Sequence, residues 1–150
     1  MLLLDELNRI ISELEIRDVE YAVCGGLAMA IQGFPRATID IDILIRESSL
    51  EDTLRIAAQL GFDIRGLDIS FVDPRLEIRR VSKITDGVVL SLDLLLVFDD
   101  IEEVWRSRER LPYMEREISV VSRDGLVFLK KRAGRPQDLA DIHRIANEED

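Results

Sequence analysis

One cysteine, Cys24, is the whole thiol complement of this 150-residue chain. That excludes an intramolecular disulfide and any zinc site built from several thiolates. Histidine is equally scarce. His143 stands alone and reads as a surface or helix-packing residue rather than a ligand. No run of about eighteen or more apolar residues occurs, so no membrane partner is expected. There is no Gly-x-x-x-x-Gly-Lys-Ser/Thr loop, which argues against a P-loop NTPase, and no protein-kinase motif set. Positive charge is short: 20 Lys and Arg face 30 Asp and Glu, a formal net charge of −10. Such a chain lacks the global electrostatics of a general nucleic-acid binder. RNA would need a local basic patch, either Arg75, Arg79, Arg80 and Lys83 or Lys130, Lys131, Arg132 and Arg135. A basic leader is missing too. Met1-Leu2-Leu3-Leu4 runs straight into Asp5-Glu6 and reads as a first helical turn, with a cytoplasmic location expected.

What is present is a globular composition, 47 % hydrophobic and 33 % charged. It predicts one domain over residues 1–150. Apolar residues at helical spacing predict a helix over Leu2–Leu14. Tyr21–Cys24 reads as a strand closed by Gly25-Gly26, Leu27–Gln32 as a short buried helix, and Gly33, Phe34 and Pro35 as its break. Thr38–Ile43 alternates strictly and is extended by Leu44-Ile45, a strand rich in β-branched residues. Ser48 and Ser49 offer N-caps for a helix over Leu50–Leu60, stopped by Gly61. Phe71–Ile84 suggests exposed strands, whose apolar edges make a homodimer or a partner protein an expectation. Val88–Val97 reads as a central strand, Ile101–Arg108 as helical, and Tyr113–Val121 as one or two strands. Ser122 begins a helix to about Ala133, Gly134 punctuates it, and Pro136 opens a last helix to about Asn147. Glu148-Glu149-Asp150 reads as a solvated tail. The fold class is mixed α/β (α+β), with helices on one sheet.

The chemistry concentrates on three carboxylates. Asp40 and Asp42 lie two apart on a strand and therefore share a face. Like charges so placed repel, and a divalent cation removes the conflict. Hard oxygen ligands suit Mg²⁺ or Mn²⁺. Asp93 interrupts an apolar run, where an unpaired carboxylate is costly. It either reaches a metal or pairs with an arginine. Asp40 and Asp42 have an alternative as well, the solvated side of an edge strand. Gly25-Gly26 lets a phosphate approach the backbone at a helix start, or is an ordinary turn.

Gly25-Gly26-Leu27-Ala28 followed by Arg36-Ala37-Thr38-Ile39-Asp40-Ile41-Asp42-Ile43 resembles the signature of the nucleotidyltransferase superfamily, with its polymerase β-like fold. The Arg-x-Thr-x-Asp-x-Asp version resembles a small branch that includes AbiEii-type abortive-infection toxins. The segment Leu129 to Ile142, with Lys130, Gly134, Arg135, Asp138 and Asp141, is similar to that branch's closing motif. The resemblance implies that Asp40, Asp42 and Asp93 are catalytic metal ligands, Asp93 also activating the acceptor hydroxyl. It implies nucleotide-binding roles for Gly25, Gly26, Arg36, Thr38, Lys130, Arg135 and Asp138. From the residues alone, Lys130 equally suits a helix C-terminus, Asp138 a helix first turn, and Asp141 a pair with Arg144 or Arg135. The implied activity is Mg²⁺-dependent transfer of a nucleoside monophosphate from an NTP such as ATP to a hydroxyl of RNA, a protein or a small molecule. A toxin–antitoxin role belongs to the same expectation. The alternative is a non-catalytic nucleotide-binding or regulatory module of the same fold.

Overall fold

The computed structural model describes residues 2–35, 37–72 and 75–148. The apolar stripe of the first segment forms α1 (Leu2–Ile16), burying Leu3, Leu7, Ile10, Ile11 and Leu14. β1 (Ala22–Cys24) is wholly buried and leads directly into α2 (Gly25–Ile31). β2 (Asp40–Arg46) starts later than the alternation suggests, so Ile39 lies outside the strand and is exposed. α3 (Leu50–Gln59) follows a 3₁₀ turn over Glu47–Ser49. Ser49 makes no side-chain cap; its carbonyl instead accepts from Thr53 Oγ1 at 2.8 Å. Two short strands, β3 (Ile64–Arg65) and β4 (Ile69–Phe71), precede the long hairpin of β5 (Leu76–Thr85) and β6 (Val88–Val97). α4 (Glu102–Arg106) then leads to a second hairpin, β7 (Glu109–Tyr113) and β8 (Arg116–Val120). α5 (Arg123–Ala133) and α6 (Pro136–Glu148) complete the described chain. Of the expected acidic tail, Glu148 ends α6, and residues 149 and 150 lie outside the described residues.

The strands form one mixed eight-stranded sheet in the order β3-β5-β6-β2-β1-β8-β7, with β4 also paired to β5. β2 runs parallel to β6 and antiparallel to β1. It is therefore an interior strand, and Asp40 and Asp42 are not on a sheet edge. Val88–Val97 is interior as expected, flanked by β5 and β2. One face of these strands carries Ile41, Ile43, Leu92, Leu94 and Val81, all buried. On that face Lys83 joins Glu6 of α1 at 2.7 Å and donates to the Leu60 carbonyl. The opposite face carries the carboxylates. The β3–β4 edge leaves Ile64, Leu67, Ile69, Phe71 and Val72 exposed.

The two hairpin turns differ in legibility. Asp86-Gly87 links β5 to β6 with positive φ at both residues, the two-residue turn that strand twist favours. Met114-Glu115 adopts the same handedness between β7 and β8 without a glycine. The sequence there carries no turn signal, and most of β7, residues 109–112, lies outside the Tyr113–Val121 region expected to hold strands. Pro112 sits on β7, an edge strand, where its missing N–H is tolerated.

Candidate active site

Cross-strand partners share a face, so strand register alone assembles the site. Cys24 pairs with Asp42, Asp42 with Asp93, and Asp93 with Arg80. These four residues form a transverse row over β1, β2, β6 and β5. The adjacent row is Asp40, Ser91 and Ser82, whose two hydroxyls are 3.0 Å apart. Asp40 and Asp42 are half-buried, and Asp93 is only 8 % exposed. All three carboxylates expected from the sequence thus come together on one face.

Arg80 closes the row. Its Nε donates to Asp93 Oδ1 at 2.7 Å and a terminal nitrogen to Oδ2 at 2.9 Å. This is the bidentate fork that makes arginine–carboxylate pairs strong. The Asp93 hydrogen bond raises the proton affinity of Arg80, and the Asp40 and Asp42 charges add to it. One cation does not neutralise three carboxylates. Burial, then the Asp93 and Asp40 charges, push the Asp42 carboxyl up to about 7, with Arg80 and Arg135 pulling the other way. Burial, then the Asp42 and Asp93 charges, hold the Cys24 thiol well above its usual range, so it is an inert packing residue.

The two glycines are steric necessities. A Cβ on Gly25 would overlap Asp42 Oδ2, and its φ of +67° is left-handed. A Cβ on Gly26 would lie 2.8 Å from the Cβ and Oγ1 of Thr38, so Thr38 packs over that glycine. Gly25→Ala is expected to cost at least about 1–2 kcal/mol from backbone handedness alone, and to displace the Asp42 carboxylate. Melting temperature and a structure of the variant check this. An unmoved Asp42 with unchanged stability would refute it.

The closing segment is an ion-pair network. Lys130 is 5 % exposed; its Nζ donates to Asp141 at 2.8 Å and lies 3.9 Å from Asp138. Arg135 forks onto Asp138 at 2.7 and 3.2 Å. Asp138 also accepts from the Arg135 backbone N–H, the reciprocal half of a helix capping box. Burial works to raise the Asp138 carboxyl, but these hydrogen bonds bring it below the usual carboxylate range. Arg135 lowers the proton affinity of Asp42, which ties α6 electrostatically to the carboxylate row. The α2–β2 loop is held by Arg123, which donates to the Gln32 carbonyl, and by Arg144, which donates to the Pro35 carbonyl. Arg36 lies outside the described residues.

Neither basic patch is an open stripe. Arg79 pairs with Glu77, Arg80 with Asp93 and Lys83 with Glu6, while Arg75 stacks on Phe98. In the second patch, Lys130 and Arg135 are paired and Arg132 lies over Phe128. Trp105 is buried between Arg46 and Arg108, and His143 is exposed beside Asn147. A cleft of about 640 Å³ opens beyond the other end of β1, lined by Glu15, Tyr21 and Arg108. It contains none of the row.

Among the described residues, no three acidic, histidine or cysteine side chains are arranged to hold a metal ion. The donors present still fit one kind of cation. Mg²⁺ usually takes one or two carboxylates and completes its shell with water and substrate phosphates. Asp40 and Asp42 are such a pair, and the Asp42 carboxyl, raised first by burial and then by the Asp93 and Asp40 charges, is one that a cation would hold in its charged form.

Arg80 was not read from the sequence as part of this site. A signal existed: the Asp86-Gly87 turn fixes the hairpin register and so sets Arg80 opposite Asp93.

No protein-family model matches this sequence, and no curated protein matches it. Solved structures do. A Thermotoga maritima protein provisionally assigned as a nucleotidyltransferase superposes with a TM-score of 0.68 at 20 % identity, over 97 % of this chain and 93 % of its own. The fold is the nucleotidyltransferase fold. The lincosamide antibiotic adenylyltransferase LnuA, solved with lincomycin bound, gives 0.64 at 16 % identity, covering 95 % of each chain. ANT(2″)-Ia, solved with adenylyl-2″-tobramycin, gives 0.67 at 13 % identity, over 100 % of this chain and 91 % of its own. Within the nucleotidyltransferase fold, Asp40, Asp42 and Asp93 occupy adjacent interior strands beside the Gly25 turn.

Proposed function

We propose that the chain transfers a nucleoside monophosphate from a nucleoside triphosphate to a hydroxyl acceptor. The observation that carries this reading is the in-register row of Asp42 and Asp93, with Asp40 beside it, facing the Gly25 turn. Asp40 and Asp42 would hold Mg²⁺ or Mn²⁺, with Asp93 as the third ligand. When bound, the cation supplies charge neutralisation for the triphosphate and the departing pyrophosphate. The acceptor oxygen attacks the α-phosphorus, the bond to the β-phosphate oxygen breaks, and the hydroxyl proton passes to a carboxylate of the row. At Gly25 the backbone meets the Asp42 carboxylate with no side chain between them, so a triphosphate held through a cation on Asp42 would lie against that backbone. Arg135 supplies positive charge at the edge of the row, near Asp42.

A small-molecule hydroxyl is the acceptor class best supported. A polyanionic acceptor such as RNA would meet a chain of net charge −10 whose candidate basic patches are largely engaged internally. Two similar structures carry lincomycin and adenylyl-2″-tobramycin, both small molecules. The Arg-x-Thr-x-Asp-x-Asp motif and the closing segment support placement in the AbiEii-type branch, where a toxin–antitoxin role would follow.

Calorimetry with each of the four NTPs and Mg²⁺ tests the reading. Metal-dependent binding is expected, and it should vanish in the Asp40→Ala, Asp42→Ala double variant. Binding without transfer to any acceptor would favour the non-catalytic nucleotide-binding module. No binding with either Mg²⁺ or Mn²⁺ would remove the enzyme reading.

A further inference from the structure

We propose that Arg80 is the resident counter-cation of the carboxylate row, and that a divalent cation reaches Asp93 only by displacing it. This rests on the metal reading of the same site given above.

Both Asp93 oxygens accept from Arg80, at 2.7 and 2.9 Å. Asp93 is buried, and the fork spans its whole carboxylate edge. A divalent cation on the same oxygens would lie within a few ångströms of the guanidinium, where like charges repel strongly in a partly buried site. The two cations therefore exclude one another at Asp93. Arg80 also has a way out. Its side chain is 42 % exposed, against 11 % for Asp93.

The seat of Arg80 is built for it. A methyl on Gly66 would meet Arg80 Cβ, Cγ and Cδ at 3.2 to 3.4 Å, so the absence of a side chain there opens a slot over the arginine stem. The Gly66 N–H donates to the Arg80 carbonyl at 2.9 Å, fixing the two backbones together. The stem is held while the guanidinium remains at the accessible end. The neighbouring Arg79 points to the other face and pairs with Glu77 and Asp68. In the exchange, the net positive charge at Asp93 is kept throughout, and the released guanidinium becomes available to an anionic group such as a phosphate.

The contrasting arrangement is a permanent ion pair that only fastens β5 to β6, the cation using Asp40 and Asp42 alone. Mn²⁺ binding without nucleotide separates the two. It is measured by calorimetry on the wild-type protein, Arg80→Gln, Arg80→Lys and the control Arg79→Gln. Exchange predicts that Arg80→Gln tightens Mn²⁺ binding about tenfold, the size of one charge-assisted pair, while the metal-free melting temperature falls. It also predicts that the gain is lost when Asp93→Asn is added; a gain that persists in the Arg80→Gln, Asp93→Asn variant is the loss of a nearby charge and overturns the exchange. Arg80→Lys, which keeps the charge and loses the fork, should show a smaller gain, and Arg79→Gln none. Circular dichroism establishes folding; if the glutamine variant does not fold, the lysine variant carries the test. Unchanged or weakened Mn²⁺ affinity in folded single Arg80 variants, with the wild type binding, overturns the exchange alone. No Mn²⁺ binding by any of the proteins overturns it together with the metal reading.

Discussion

Asp42→Asn is expected to reduce nucleotide transfer on the order of 10³-fold, the size seen when one preorganised electrostatic group is removed from an active site. The same change should stabilise the metal-free protein. Burial, then the Asp93 and Asp40 charges, push the Asp42 carboxyl up to about 7, from an ordinary value of 3.8. Below about pH 4 folded and unfolded chains both hold the proton. Between about 4 and 7 the unfolded chain releases it and the folded chain keeps it, so stability falls as pH rises. Above about 7 the full penalty is present. Asparagine carries no charge at any pH. The variant should therefore gain little at pH 5 and about 1 kcal/mol or more at pH 8, roughly 3 °C for a chain of this size. Thermal melts at the two pH values without divalent cation decide it. A gain independent of pH would mean that ionising Asp42 carries no penalty in the fold. Adding Mg²⁺ at pH 8 should raise the wild-type melting temperature and leave the variant nearly unmoved.

Lys130→Ala should have the largest effect on stability. Its ammonium serves two carboxylates, Asp141 and Asp138, each 2 % exposed. Removing one partner of a buried pair leaves charge without compensation and costs about 3–5 kcal/mol, about 10 °C here. Replacing the pair together, as Lys130→Met with Asp141→Leu, should recover most of that loss. A phosphate-binding lysine would behave differently, with nucleotide affinity falling while the melting temperature holds. Melting curves beside nucleotide titrations of Lys130→Ala separate the two.

These expectations rest on features of different legibility. Local chemistry marks the ends of α5 and α6 in the sequence. Ser122 caps α5 by accepting from the Gly125 N–H at 3.0 Å, Gly134 closes it with a left-handed φ of 65°, and Pro136 opens α6. Each acts within one helical turn, so residue type is enough. β3 and β4 are two and three residues long and exposed, too short to show periodicity. They form because β5 offers an edge to pair with. The basic run around Lys130 reads as a helix end, and only the packing of α6 on α5 shows that its ammonium is buried against Asp141.

By itself the sequence determined that Asp40 and Asp42 share one face, that Asp93 interrupts an apolar strand, and that glycines precede both. The period-two geometry of a strand is local and needs no partner. Tertiary structure alone decided that β6 lies beside β2 in parallel with Asp42 opposite Asp93, because pairing across a long crossover depends on the packing of the whole sheet. The Asp86-Gly87 turn sets Arg80 opposite Asp93 within one hairpin, and tertiary structure then decided that this pair lies beside Asp42. That neighbourhood needs both the hairpin register and the pairing of β6 with β2, and only the second depends on the whole sheet.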